Sequence, residues 1–165
     1  MTTRHRAVAG SVLAAVAATA ALPALGGAQS SGGRDITLRE KVRAVKFVHQ
    51  QRSTRGDRLA MGDRVITRQG LFDEGNRSIG SFSTDCVNVG GKAQVFKATL
   101  QCTSIYQLGG GQVVSQGVVR LGSSAPGPRI AIVGGTGAYK SATGEVGAGA
   151  PVQGYDTVDV LHLDR

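Results

Sequence analysis

The chain has 165 residues, 25 of them glycine and none tryptophan, with 19 basic against 11 acidic residues and a formal charge of +8. Its length suits one folded domain behind a short leader, with a core that needs no metal. Its two cysteines lack C-x-x-C spacing, which excludes zinc-ribbon and dithiol-redox readings.

The first 28 residues read as an export signal. Arg4 and Arg6 form a basic start, Ala7 to Ala21 is apolar, and Gly26-Gly27-Ala28 offers small residues for cleavage. A single membrane anchor is the rival reading, but the alanine and glycine content makes Ala7 to Leu25 weakly hydrophobic. No cysteine follows the apolar run to carry a lipid. The expectation is a secreted protein with no stable membrane insertion after cleavage, a short flexible linker over 29–35 and a single domain over 36–165.

Removing Arg4 and Arg6 leaves 17 basic residues against 11 acidic. Ten of them fall between Arg34 and Arg68, where only Asp35, Glu40, Asp57 and Asp63 oppose them. Such a stripe suits an anionic polymer, a membrane surface, an acidic small molecule or simply a solvated face. Nucleic acid is not expected of an exported chain whose basic segment lacks base-stacking aromatics.

Strand-like runs then follow one another: Ile36 to His49, Asp63 to Phe72, Ile79 to Val89, Val95 to Tyr106, Gln112 to Leu121, Arg129 to Val133, Ser141 to Gly147 and Tyr155 to Leu163. In the fourth, Phe96, Ala98, Leu100, Cys102, Ser104 and Tyr106 alternate with a second set, the period of two of a strand with one inward face. Glu74-Gly75-Asn76, Gly90-Gly91, Gly109 to Gly111 and Ala125-Pro126-Gly127-Pro128 mark turns. No window combines helical periodicity with good helix formers. About eight successive strands point to an all-β, antiparallel closed barrel, because closure removes exposed edges. An open sandwich of the same strands is the alternative. Cys86 and Cys102 lie on strands joined by a glycine turn, and both a cross-strand disulfide and two buried thiols fit them.

Residues 129–146, RIAIVGGTGAYKSATGEV, have the look of a phosphate loop. A P-loop needs glycine before its lysine, and Tyr139 precedes Lys140. A dinucleotide fingerprint needs a third glycine where Lys140 stands and a helix after it, but Ser141 to Gly147 is poor in helix formers. The stretch reads better as two strands joined by a tight bend, with Gly134, Gly135 and Gly137 supplying the freedom.

Gly62-Asp63-Arg64-Val65 leading to Leu71-Phe72-Asp73, then Ile79-Gly80 and Cys86, resembles the "GD…LYDG…VG…C" run of the allene oxide cyclase and dirigent superfamily. The AIVGGTGAYKSATGEV segment is similar to its "GGTG-x-(Y/F)-x-x-A-x-G", and Val114-Ser115-Gln116-Gly117 to its "VQG" strand. The resemblance implies an eight-stranded antiparallel barrel holding a small apolar molecule, no cofactor, and a dimer or trimer. It carries the cyclases' cavity cysteine to Cys86 and an amide to the region of Gln69. Alternation then adds Phe82, Thr84 and Asn88 as lumen candidates, with Gln116 and Tyr139 beside them. The cyclases' first-strand acid, amide and neighbouring proline find no counterpart: His49, Gln50 and Gln51 occupy that region, and Glu40 is the only early glutamate.

Smaller features have bland readings. His49 and His162 lack paired acids for a metal site, Arg55-Gly56-Asp57 lies in a basic turn, and Asn76-Arg77-Ser78 is a sequon in a turn. No nucleophile elbow surrounds any serine. The sequence thus leads to an exported barrel that binds a small apolar or reactive metabolite and guides a cofactor-free stereoselective cyclisation or coupling. A non-catalytic ligand-binding or surface barrel is the alternative.

Overall fold

The computed structural model describes residues 33–50, 58–122, 127–149 and 152–164. The proposed export signal and the Arg55-Gly56-Asp57 tripeptide lie outside the described residues. The elements are β1 (Arg34–Val48), β2 (Arg58–Leu59), β3 (Arg64–Phe72), β4 (Ser78–Asn88), β5 (Ala93–Gln94), β6 (Thr99–Leu108), β7 (Gly111–Arg120), β8 (Ile130–Gly135), β9 (Gly144–Ala148) and β10 (Thr157–Leu163). Short 3-10 turns occupy Val95–Lys97 and Gly137–Tyr139.

Eight strands close into a barrel in the order β1-β10-β9-β8-β7-β6-β4-β3, while β2 and β5 form a separate two-stranded ribbon. All barrel pairings are antiparallel, and β1 seals the cylinder by pairing with β10 on one edge and β3 on the other. The open sandwich is thereby excluded. Two boundaries differ from the sequence reading. β1 begins at Arg34, inside the expected linker, because Arg34 pairs with Leu163. Val95 to Lys97 turns instead of extending, which leaves Phe96 50% exposed and starts the inward alternation at Ala98.

Period-two alternation sends one residue set inward, and two apolar clusters result. Leu38, Leu71, Phe82, Tyr106, Val113 and Leu161 lie in one. Leu59, Val65, Cys86, Ala98, Leu100 and Cys102 form the other. Burying each such side chain contributes roughly 1.5–3 kcal/mol. Between the clusters runs a row of hydroxyls in cross-strand register, Thr67 opposite Thr84, Thr84 opposite Ser104 and Ser104 opposite Ser115. Cys86 faces Cys102 one step further along and is bonded to it, with Cα atoms 4.0 Å apart. The disulfide is therefore formed, and no free cysteine remains.

The glycine-rich stretch is a bend, as its composition implies. It links β8 to β9 through the turn at Gly137, whose φ of 60° belongs to the left-handed region. A Cβ there would collide with the Gly110 carbonyl oxygen. Strand heights are uneven around the cylinder. Past Glu40, β1 pairs only with β3, so Val42 and Val45 remain 44% and 48% exposed. No helix among the described residues is long and apolar enough to cross a membrane.

Candidate functional site

The inward phase of β1 runs Ile36, Leu38, Glu40, and that of β10 runs Asp159, Leu161, Leu163, with Leu38 opposite Asp159 and Glu40 opposite Thr157. Two carboxyls are thus delivered to neighbouring strands on one side of the lumen. β6 stands diametrically opposite β10 in the closed order. From there Tyr106, 1% exposed, reaches across and donates its hydroxyl to Asp159 Oδ2 at 2.6 Å. The expected hollow lumen is therefore bridged at this level by a tyrosine.

Glu40 is 2% exposed. Its Oε2 accepts from Thr157 Oγ1 at 2.7 Å, while no hydroxyl or N–H donor reaches Oε1. Burial first, and then the adjacent Asp159 charge, push the Glu40 carboxyl up to about 8, against the lowering effect of the Thr157 bond. Burial also raises Asp159, opposed by its hydrogen bonds to Tyr106 and Glu40. The Tyr106 hydroxyl is pushed up by burial and by Asp159, so it stays a donor. At neutral pH the pair therefore holds a proton. Further unpartnered buried atoms face the interior nearby: Gln69 Oε1, and Thr67 Oγ1 and Ser115 Oγ at the two ends of the hydroxyl row.

Beside the pair opens a mostly apolar pocket of about 330 Å³, walled by Ile130, Val146, Ala148, Val152 and Tyr155, with Asp159 and Thr157 contributing polar surface. Tyr155 is held by a hydrogen bond from its hydroxyl to Asn76 Oδ1 at 2.9 Å and by the Phe72 ring, 5.5 Å between centroids. Lys41 and Arg39 lie over the same ring, at 5.2 and 5.8 Å from its centroid.

The residues expected in the lumen are scattered relative to this pocket, and none lines it. Gln69 is buried beside the interior and its Oε1 is free. Phe82 packs on Tyr106 with centroids 4.7 Å apart, as core and not as pocket wall. Thr84 accepts from Ser104 Oγ at 2.9 Å and donates to the Thr103 carbonyl. Cys86 has no thiol to offer. Asn88 is fully buried in a structural role, donating to the Ala60 and Gly91 carbonyls and accepting from the Gly90 amide. Gln116 is corrected outright: its neighbour Ser115 takes the inward phase with 0% exposure, so Gln116 lies on the outer face. Tyr139 sits half-buried in the turn after β8, against the core.

The early glutamate, Glu40, lies on β1 and points inward. The sequence carried a usable sign of it, because Glu40 shares the phase of Ile36 and Leu38. Asp159 and Tyr106 were equally in phase on their strands, but their meeting depends on barrel closure.

His49, by contrast, belongs to a structural network at the start of β3. Asp63, 0% exposed, accepts from the Gln50 amide at 2.7 Å, the Ala60 amide at 2.9 Å and His49 Nδ1 at 3.0 Å. Burial alone would raise this carboxyl, but the bonds from Ala60, His49 and Gln50 outweigh it and bring it down to about 2. His162 pairs separately with Asp35.

No protein-family model and no curated protein matches the sequence. Among solved structures, a pyocyanin demethylase aligns with a TM-score of 0.62 at 23% identity, covering 79% of this chain and 99% of that one. The pterocarpan synthase dirigent protein GePTS1 aligns with a TM-score of 0.52 at 17% identity, covering 79% and 86%. Both likenesses concern the fold. The eight-stranded closure and these alignments together show that the chain shares the antiparallel closed-barrel fold of those two structures.

Proposed function

We propose that the barrel binds a small, mostly apolar metabolite in the pocket beside β10, and that the Glu40 and Asp159 pair exchanges one proton with it. The outcome is a cofactor-free ring closure, coupling or isomerisation. The observation that carries this reading is a pair of neighbouring buried carboxyls of which one, Asp159, lines an apolar pocket, while the other, Glu40, has an oxygen that no hydroxyl or N–H reaches. A buried acid that keeps its proton near neutral pH is matched to general acid work, typically worth about 10²–10⁴ in rate. Apolar walls that hold the occupant in one reactive conformation add to this by orientation. The neighbours named for pyocyanin and for pterocarpan support a small-molecule occupant. Export is part of the proposal, and the Cys86–Cys102 bond supports it, since such bonds persist in oxidising compartments.

A second reading, binding without chemistry, is favoured by one observation. The position that the resemblance assigns to the cyclase cysteine is occupied by half of a disulfide. The two readings separate when the protein is incubated with reactive epoxide, polyene and phenoxyl-radical precursors and product chirality is measured. Enantiomeric excess that Glu40→Gln reduces at least about tenfold in rate supports the first. Racemic product throughout, with an apolar fluorophore still bound, leaves the second.

A further inference from the structure

We propose that the occupant of this pocket carries a positively charged nitrogen, which Asp159 and Glu40 hold in place of the proton they share when the site is empty of ligand. The inference rests on the pocket reading above and adds the charge of the occupant. Its basis is the inventory of groups around the pair. From β1 comes Glu40 and from β10 come Asp159 and Thr157, while β6 sends Tyr106. Among the described residues no lysine, arginine or histidine forms an ion pair with either carboxyl; the acids that do have basic partners are Asp35, Asp63, Asp73, Asp85 and Glu145. Two carboxyls within reach of one another are both acceptors once ionised, and a tyrosine and a threonine hydroxyl are the donors that meet them. No hydroxyl or N–H reaches Glu40 Oε1.

Such a site lacks positive charge, and a proton is the smallest cation that can supply it. A ligand cation standing at Asp159, which lines the pocket, supplies it equally well and frees one proton to solvent. The aromatic face of Tyr155 in the same wall is a second favourable surface for a flat cation. The basic residues near the rim, Arg39 and Lys41, are directed onto Tyr155. They would favour an anion on approach, which makes the sign of the bound charge a discriminating question.

The test uses three probes of one shape and different charge: N-methylquinolinium, 1-methylnaphthalene and 1-naphthoate. Affinities are measured by calorimetry from about pH 5 to about pH 9 in buffers of different ionisation enthalpy. The cation is expected to bind about tenfold or more tighter than the neutral probe at the alkaline end, with the gap closing as protons compete at the acid end. Each cation bound near pH 6 should release up to one proton. Glu40→Gln should shrink both the advantage and its pH dependence, and Asp159→Asn provides the same test should the first variant fail to fold. Equal binding of neutral and cation, tighter binding of the anion, or a pH-dependent cation advantage that survives both substitutions overturns the inference while leaving the pocket standing. Failure of all three probes to bind overturns both.

Discussion

Asp63 and Glu40 are both buried carboxylic acids, at 0% and 2% exposure, yet the barrel treats them in opposite ways. Asp63 is surrounded by donors, two backbone amides and a histidine, and its carboxyl is drawn down to about 2. Glu40 is set beside a second acid, has one oxygen that no hydroxyl or N–H reaches, and is pushed up to about 8. The first arrangement stabilises a charge and ties β1 to the start of β3. The second disfavours charge and keeps a proton where a pocket meets the interior. A carboxyl that is fully matched serves the fold, whereas one short of donors beside an acid that lines a pocket is available for chemistry.

The largest test of that contrast is Asp63→Asn. It places an amide group against donors and should cost about 3 kcal/mol in urea unfolding at neutral pH. A loss below about 1 kcal/mol would mean that Asp63 is not the tie it looks to be. Removing the disulfide near the same end, by replacing Cys86 and Cys102 with alanine together, frees a loop of separation 16 and should cost nearly as much, about 3 kcal/mol.

The pH dependence sharpens the comparison, because the two acids contribute with opposite sign. For Glu40 the folded state holds its proton more tightly than the unfolded chain. Its contribution is therefore fully present below about pH 4.5 and is lost as pH rises towards about 8. Glu40→Gln removes that loss, and should unfold at a higher denaturant concentration than the parent above pH 8, by about 1–2 kcal/mol, with little difference near pH 4. For Asp63 the folded carboxyl ionises more readily, so its contribution is present above pH 3.8 and disappears as pH falls through about 2. Acid unfolding should steepen in that window and flatten there in Asp63→Asn. The smallest effect is expected of Gln116→Ala, within about 0.5 kcal/mol and without change in probe affinity, since the side chain lies on the outer wall.

Much of the barrel was legible in the chain because a strand with one buried face writes its period into the sequence. The alternation of Leu100, Cys102, Ser104 and Tyr106 is the inward face of β6, and the glycines from 134 to 137 mark the bend after β8. Where the period is weak the sequence does not mark the strand's limits. Val95 to Lys97 turns because the carbonyl of Val95 bonds the amide of Ala98, a local choice that alternation does not encode. Gln116, a lumen candidate that alternation did not supply, lies outside because Val113 and Ser115 hold the inward phase of β7.

The candidate site shows the division most clearly. Which residues face inward on each strand was set locally, by sterics that alternate side chains and by the preference of apolar groups for the interior. That Tyr106 meets Asp159, 53 positions away, and that Glu40 has an acid as its neighbour, was decided by closure and register. Closure places β6 across from β10, and the pairing of Glu40 with Thr157 brings β1 beside β10. Proton affinity then follows from burial and neighbouring charge, quantities that exist only once the cylinder has formed.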